Sequence, residues 1–221
     1  KVTGSDKQCF PPMSTQLADL GISISLGFSY DNLPKNADLF VIGNVCTADN
    51  PEAKAARESS VECLTMPDAI SRYFFENRMG IMCTGTHGKS TTSSLIAWLL
   101  ESAGEDPGYL IGAIPHNFQK SFKAGCGKYF VVEGDEYDTA FWEKTPKFLH
   151  YPASAIHLGP IEFDHADIYN NLEEIESVFS DLLQKRKSED LVVANGDSES
   201  VCKNLTNTNY IVLKYSFEVN N

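Results

Sequence analysis

The chain has 221 residues, 42% hydrophobic and 22% charged, with a formal net charge of −12. That composition is globular, and the length suits one large domain or two small ones. The acidic balance excludes a nucleic-acid partner, because affinity for phosphate backbones comes from Lys and Arg, and solubility is the simpler use of the charge.

Apolar runs reach only about six residues against the roughly 20 of a membrane-spanning helix, so no membrane partner is expected. Cysteines at 9, 46, 63, 83, 126 and 202 form no C-x-x-C pair, which suggests neither a zinc site nor a disulfide framework. Reduced thiols in a cytoplasmic enzyme fit best. The chain opens on Lys1-Val2-Thr3-Gly4-Ser5-Asp6 without a methionine, and is expected to begin inside a domain.

In chain order, Val2–Asp6 reads as the end of a strand with a polar tip, Ser14–Leu20 as a helix, and Ile22–Leu26 as an alternating strand. Asp38–Gly43 is a buried-strand candidate, followed by Asn44. Pro51 opens a helix that Asn50 caps. Val61–Leu64 is a short strand and Pro67–Asn77 a helix. Such βαβ alternation predicts a mostly parallel sheet with helices on both faces, and ligands bind beyond the carboxyl ends of its strands. Ser5, Asp6 and Asn44 occupy that edge, though short polar residues also end strands without touching anything.

A second α/β pattern starts near residue 79, which sets expected domains at 1–78 and 79–221. Gly80–Cys83 is apolar, Gly85-Thr86-His87-Gly88-Lys89-Ser90-Thr91-Thr92 is a small-residue turn, and Ser93–Leu100 is helical. Strand, turn and helix in that order build a phosphate loop. The glycines allow the tight path, amides point at an anion, Lys89 reaches the β/γ-phosphates, and the Ser90 hydroxyl sits where a Mg²⁺ ligand is expected. The outer glycine of the general pattern is replaced by Cys83.

Tyr109–Gly112 and Tyr129–Val132 are strand-like, and the latter runs into Glu133-Gly134-Asp135-Glu136-Tyr137-Asp138. Carboxylates after a strand beside a phosphate loop suit Mg²⁺, which needs only one or two from the protein; acidic loops are otherwise commonly just solvated. Ala155–Leu158 leads to His165, flanked by Asp164 and Asp167. Leu172–Lys187 is an amphipathic helix whose apolar stripe reads as core, followed by strands at Leu191–Ala194 and Tyr210–Tyr215.

Together these residues resemble the Mur ligase family, the ATP-dependent amide-forming enzymes of peptidoglycan synthesis. The resemblance is carried by Gly85–Thr92, by Val132–Glu136 and by Glu162-Phe163-Asp164-His165, and the family's own loop lacks the outer glycine. Pro11–Leu17, Asp135–Phe141, Lys147–Tyr151 and Glu162–Asp167 are similar to the branch that accepts a murein tripeptide.

The resemblance implies a partial Rossmann-like UDP-binding domain followed by a P-loop-type α/β ATPase domain, with a third domain missing. It implies UDP-N-acetylmuramate, ATP and the tripeptide as partners, or L-alanine as the alternative acceptor. The ATP site would be Gly85, Thr86, His87, Gly88, Lys89, Ser90 and Thr91. Ser90, Glu133 and His165 would be Mg²⁺ ligands, and Lys89, Glu133 and His165 the catalytic residues. Ser5, Asp6 and Asn44 would line the UDP-sugar side, with Asn117 and Asp138 also facing substrate, against plain turn roles for the last two. Ser180 stands where some members carry a carbamylated lysine, as in the muramate-adding branch. This segment alone is expected to bind ATP weakly and not to ligate.

Overall fold

The computed structural model describes residues 1–164, 168–206 and 208–217. They divide into two units, one of Lys1–Met66 with Thr139–Lys144, the other of Pro67–Asp138 with the chain from Thr145 onward.

The first unit contains β1 (Thr3–Asp6), α1 (Met13–Asp19), β2 (Ser23–Leu26), a 3-10 turn at Tyr30–Asn32, β3 (Phe40–Ile42), α2 (Pro51–Glu58) and β4 (Cys63–Thr65). β1 pairs parallel with β2, and β3 parallel with β4. α2 begins as its sequence dictates. Pro51 takes the first turn, where a missing N–H costs nothing, and Asn50 Oδ1 accepts from the amides of Glu52 and Ala53 at 3.0 Å each. A small core gathers Ile42, Ala53 and Ala56 with Phe141 and Trp142. The Arg57 guanidinium lies over the Trp142 ring at 4.1 Å. β3, expected to be buried, buries only Ile42; Val41 points out, because this strand has core on one face alone.

Further along come α3 (Met66–Phe74), β5 (Met79–Thr84), α4 (Lys89–Ser102), β6 (Gly108–Leu110), β7 (Phe122–Lys123), β8 (Tyr129–Glu133), β9 (Asp138–Ala140) and β10 (Glu143–Pro146). β11 (Ala153–Leu158), α5 (Leu172–Gln184), β12 (Leu191–Asn195), α6 (Glu199–Asn204) and β13 (Ile211–Tyr215) complete the described elements. Seven strands form one sheet in the order β13-β12-β11-β5-β8-β6-β7, parallel except where β7 meets β6.

The side-chain period of two divides this sheet into two cores. Phe130 and Val132 face the larger, with Met82, Ile156, Leu158, Val192 and the Phe179 and Leu182 stripe of α5. Val131 faces the smaller, with Tyr109, Ile111 and Ala97 of α4. The α5 stripe is therefore core, as its spacing predicts. β5 is central, and the chain leaves it first toward β6 and later returns to β11 on its other side. That change of direction opens a crevice at the carboxyl ends of β5 and β11, where open α/β sheets bind ligands.

Candidate functional site

Register fixes the site. Cys83 of β5 pairs with Glu133 of β8, and Thr84 with Leu158 of β11, so all three strands end at one level. Gly134 N–H donates to Cys83 O, and Gly159 N–H to Thr84 O, each at 2.8 Å. The Thr84 hydroxyl donates to Gly134 O at 3.0 Å. Three loops are thus tied together where the phosphate loop begins.

The turn itself needs its glycines. Gly85 has φ +118°, and a Cβ there would lie 2.9 Å from the backbone of Gly159. Gly88, at φ +82°, caps α4 in the left-handed region without a side-chain cap bond. The first-turn amides of α4 have no intrahelical acceptor, and the helix dipole adds partial positive charge there. Thr86 anchors the turn from behind: its amide donates to Pro160 O (2.8 Å), its hydroxyl donates to Glu162 O (3.1 Å) and accepts from Glu162 N–H (2.8 Å).

Lys89 Nζ donates to Gly85 O (2.9 Å), Thr86 O (3.2 Å) and Glu136 Oε1 (2.9 Å). The pair is sheltered, with side chains 16% and 4% exposed. Ser90 Oγ donates to Glu133 Oε1 at 2.6 Å, and Glu133 Oε2 accepts from the Gly112 amide. His87 is exposed and sits 3.5 Å from Glu162. Thr91 and Asn117 share with Ser90, Trp98 and Ile114 the wall of a groove of about 390 Å³. Asp138 is half-buried at the start of β9.

The acidic run after β8 does not gather into one cluster. Glu133 goes to Ser90, Glu136 to Lys89, and Asp135 to Lys147 at 2.6 Å, while Tyr169 donates to Glu136 O. No group of three or more His, Cys, Asp or Glu suited to a metal occurs among the described residues. The Ser90–Glu133 pair nonetheless fits Mg²⁺, a hard ion that takes one or two protein oxygens and leaves its other positions to phosphate and water. His165, the third ligand expected, lies outside the described residues.

In the first unit Ser5 and Asp6 end β1 but, by strand alternation, face opposite ways. Asp6 Oδ1 accepts from the Gln8 amide, while the Ser5 hydroxyl donates to Glu52. Asn44 is half-buried in the turn after β3. Glu52 and Glu136 escape a sequence reading. Burial of a carboxylate leaves no trace in a hydropathy pattern, and Glu136 is hidden among three other acids.

A central strand, an amide-lined turn, a half-buried lysine and an acid on the neighbouring strand define a P-loop-type α/β nucleotide-binding unit. The chain belongs to the Mur ligase family: residues 83–221 match the Mur ligase middle domain, and residues 1–75 the family's catalytic domain.

UDP-N-acetylmuramate–L-alanyl-gamma-D-glutamyl-meso-2,6-diaminoheptandioate ligase of Escherichia coli strain K12 is 40% identical over 184 residues, 83% of this chain and 40% of its own length. UDP-N-acetylmuramate–L-alanine ligase of Solidesulfovibrio magneticus is 32% identical over 217 residues, 98% of this chain and 45% of its own. The crystal structure of UDP-N-acetylmuramate:L-alanyl-gamma-D-glutamyl-meso-diaminopimelate ligase from Neisseria meningitides has a TM-score of 0.89 at 38% identity, covering 97% of this chain and 69% of that one. The chain thus spans 40% and 45% of the length of the two curated relatives. Among the described residues no helix is long and apolar enough to cross a membrane.

Proposed function

We propose that this chain is part of a cytoplasmic ligase of peptidoglycan recycling. The reaction joins the lactyl carboxylate of UDP-N-acetylmuramate to the terminal amine of L-alanyl-γ-D-glutamyl-meso-diaminopimelate, converting ATP to ADP and phosphate. The observation that carries the reading is the meeting of the amide-lined turn, Lys89 and the Ser90–Glu133 pair at one sheet edge. A carboxylate is a poor electrophile, so it first attacks the γ-phosphate and becomes an acyl phosphate. The amine then attacks the acyl carbon and phosphate leaves.

Phosphoryl transfer asks the protein mostly for positioning and charge neutralisation. The amides from Gly85 to Ser90, with Thr91, cradle the phosphates, and Lys89 exchanges a carbonyl contact for a β/γ-phosphate oxygen. Ser90 and Glu133 would hold Mg²⁺, which when bound lowers the repulsion between carboxylate and triphosphate. His165 is assigned to a second ion by resemblance, and His87 to the γ-phosphate or substrate. Residues 1–78 form the UDP-sugar side with Ser5, Asp6 and Asn44, and 79–221 the ATP side, where Asn117 and Asp138 face substrate.

A second reading, ligation of L-alanine, is supported by the 32% identity that extends over 98% of the chain. The complete protein carrying this chain, assayed with each acceptor, separates them. Turnover with the tripeptide is expected, and turnover with L-alanine alone would overturn the first reading.

A further inference from the structure

Glu52 is 7% exposed, yet among the described residues it faces no lysine, arginine or histidine at ion-pair distance. A carboxylate in that position needs donors, and three residues on two segments, β1 and the turn at Ser29–Asn32, supply them. Oε2 accepts from the Ser29 amide (3.2 Å) and from Asn32 Nδ2 (3.0 Å), and Oε1 accepts from the Ser5 hydroxyl at 2.5 Å. The polarity of this network is fixed. Ser29 contributes a backbone N–H, which only donates. Asn32 Nδ2 also donates to Gly27 O at 3.0 Å, which orients the amide. The Ser5 hydroxyl has one hydrogen and gives it to Glu52, so toward the open end of β1 it offers lone pairs alone.

We infer that Glu52 is a positioning residue that makes Ser5 an acceptor-only contact. The ligand group recognised there is then a hydrogen-bond donor, a sugar hydroxyl or the imide N–H of a uridine nucleotide, and not a phosphate oxygen. The negative charge behind Ser5 acts in the same direction, since it disfavours a phosphate. This rests on the reading of Ser5 as a ligand contact.

Glu52→Gln tests it by reversing the polarity. The donors of Ser29 and Asn32 hold the Gln carbonyl at the Oε2 position, so the Gln amide nitrogen faces Ser5 and donates. The Ser5 hydrogen then turns outward and the residue becomes a donor.

Titration calorimetry of the complete protein carrying this chain should show Glu52→Gln binding uridine about tenfold more weakly, the effect of one hydrogen bond, with pyrophosphate binding undiminished. Ser5→Ala should lose the same factor, and the double variant no more. A ligand-side check leaves position 52 untouched. Of 3-methyluridine, 2′-deoxyuridine and 3′-deoxyuridine, at least one should bind the wild type about tenfold more weakly than uridine, a deficit that Ser5→Ala abolishes.

If Ser5→Ala weakens uridine but Glu52→Gln does not, the inference falls while the ligand reading of Ser5 stands. Equal losses of uridine and pyrophosphate, or additive losses in the double variant, would mark Glu52 as merely structural and overturn the inference. Unchanged uridine affinity in Ser5→Ala, or no uridine binding by the wild type at millimolar concentration, would remove the reading and the inference together.

Discussion

Nζ of Lys89 lies 2.9 Å from Oε1 of Glu136, and the other two ammonium hydrogens go to the carbonyls of Gly85 and Thr86. A phosphate must displace at least one of the three. Lys89→Met should weaken ATP binding by about one to two orders of magnitude, the scale of a charge-assisted hydrogen bond. It should also lower the melting temperature, because the buried Glu136 loses this cation. Adding Glu136→Gln should restore part of the stability and none of the affinity. Calorimetry and thermal melts on the three variants check this. Wild-type ATP affinity in Lys89→Met would remove the lysine from the phosphate site.

Ser90 and Glu133 make a second kind of contact, two hard oxygens 2.6 Å apart on different elements. Glu133→Gln keeps a hydrogen-bonding group there but removes the charge that attracts a divalent ion. ATP affinity measured against Mg²⁺ concentration should then need about tenfold more Mg²⁺ for half effect, while affinity without Mg²⁺ stays the same or rises as repulsion is relieved. An unchanged Mg²⁺ dependence would take Glu133 out of the ion site.

Local rules made most of this legible from sequence. Asn50-Pro51 specified the α2 cap, the apolar runs of β5, β8 and β11 specified a parallel sheet, and Gly85 and Gly88 marked the turn between β5 and α4. The pieces that sequence left out are those decided by tertiary contact. β7 has two residues, and the β9–β10 ribbon breaks up the acidic and aromatic run from Asp138 to Pro146. α4 packs on the sheet through Ala97, with Ile96 and Leu100 partly buried beside it. Ser93 and Ala97 turn inward, where small side chains fit against the sheet, while Leu95, Trp98 and Leu99 stay exposed. Helical spacing alone does not say which stripe a crowded sheet will accept. Nor could it divide the carboxylates after β8, which are separated by Ser90, Lys147 and Lys89 rather than gathered around one ion.

Gly85→Ala should be the most damaging single-methyl change at the site. The added Cβ meets the Gly159 backbone at 2.9 Å, and alanine is strained at φ +118°. The conformational cost alone is of order 1–3 kcal/mol. The variant should melt several degrees lower and lose ATP binding, whereas Gly88→Ala, with open space around its Cβ, should suffer mainly from its φ of +82°. Thermal melts and nucleotide titration of both variants check the ranking. Equal stability in Gly85→Ala and wild type would mean that the turn relaxes away from Gly159.

His157 gives the second unit a sensitivity to mild acid. Its ring stacks on Tyr215 with Nε2 3.1 Å from the phenol oxygen, while Nδ1 is buried without a hydrogen-bond partner among the described residues. Burial pushes its pKa below the ordinary 6.5, so the folded state prefers the neutral ring. Below 6.5 the unfolded chain binds a proton that the folded chain resists, and unfolding free energy falls with falling pH. The stabilisation is complete above the unfolded value and is lost between it and the lower folded value. Asp106 and Glu174 are held below the usual carboxylate range by hydrogen bonds, so their stabilisation disappears only at more acid pH. The drop in melting temperature between about pH 7.5 and about pH 5.5 should therefore be larger in the wild type than in His157→Gln, which cannot titrate there. Identical drops in the two proteins would show that protonation of His157 carries no cost in the fold.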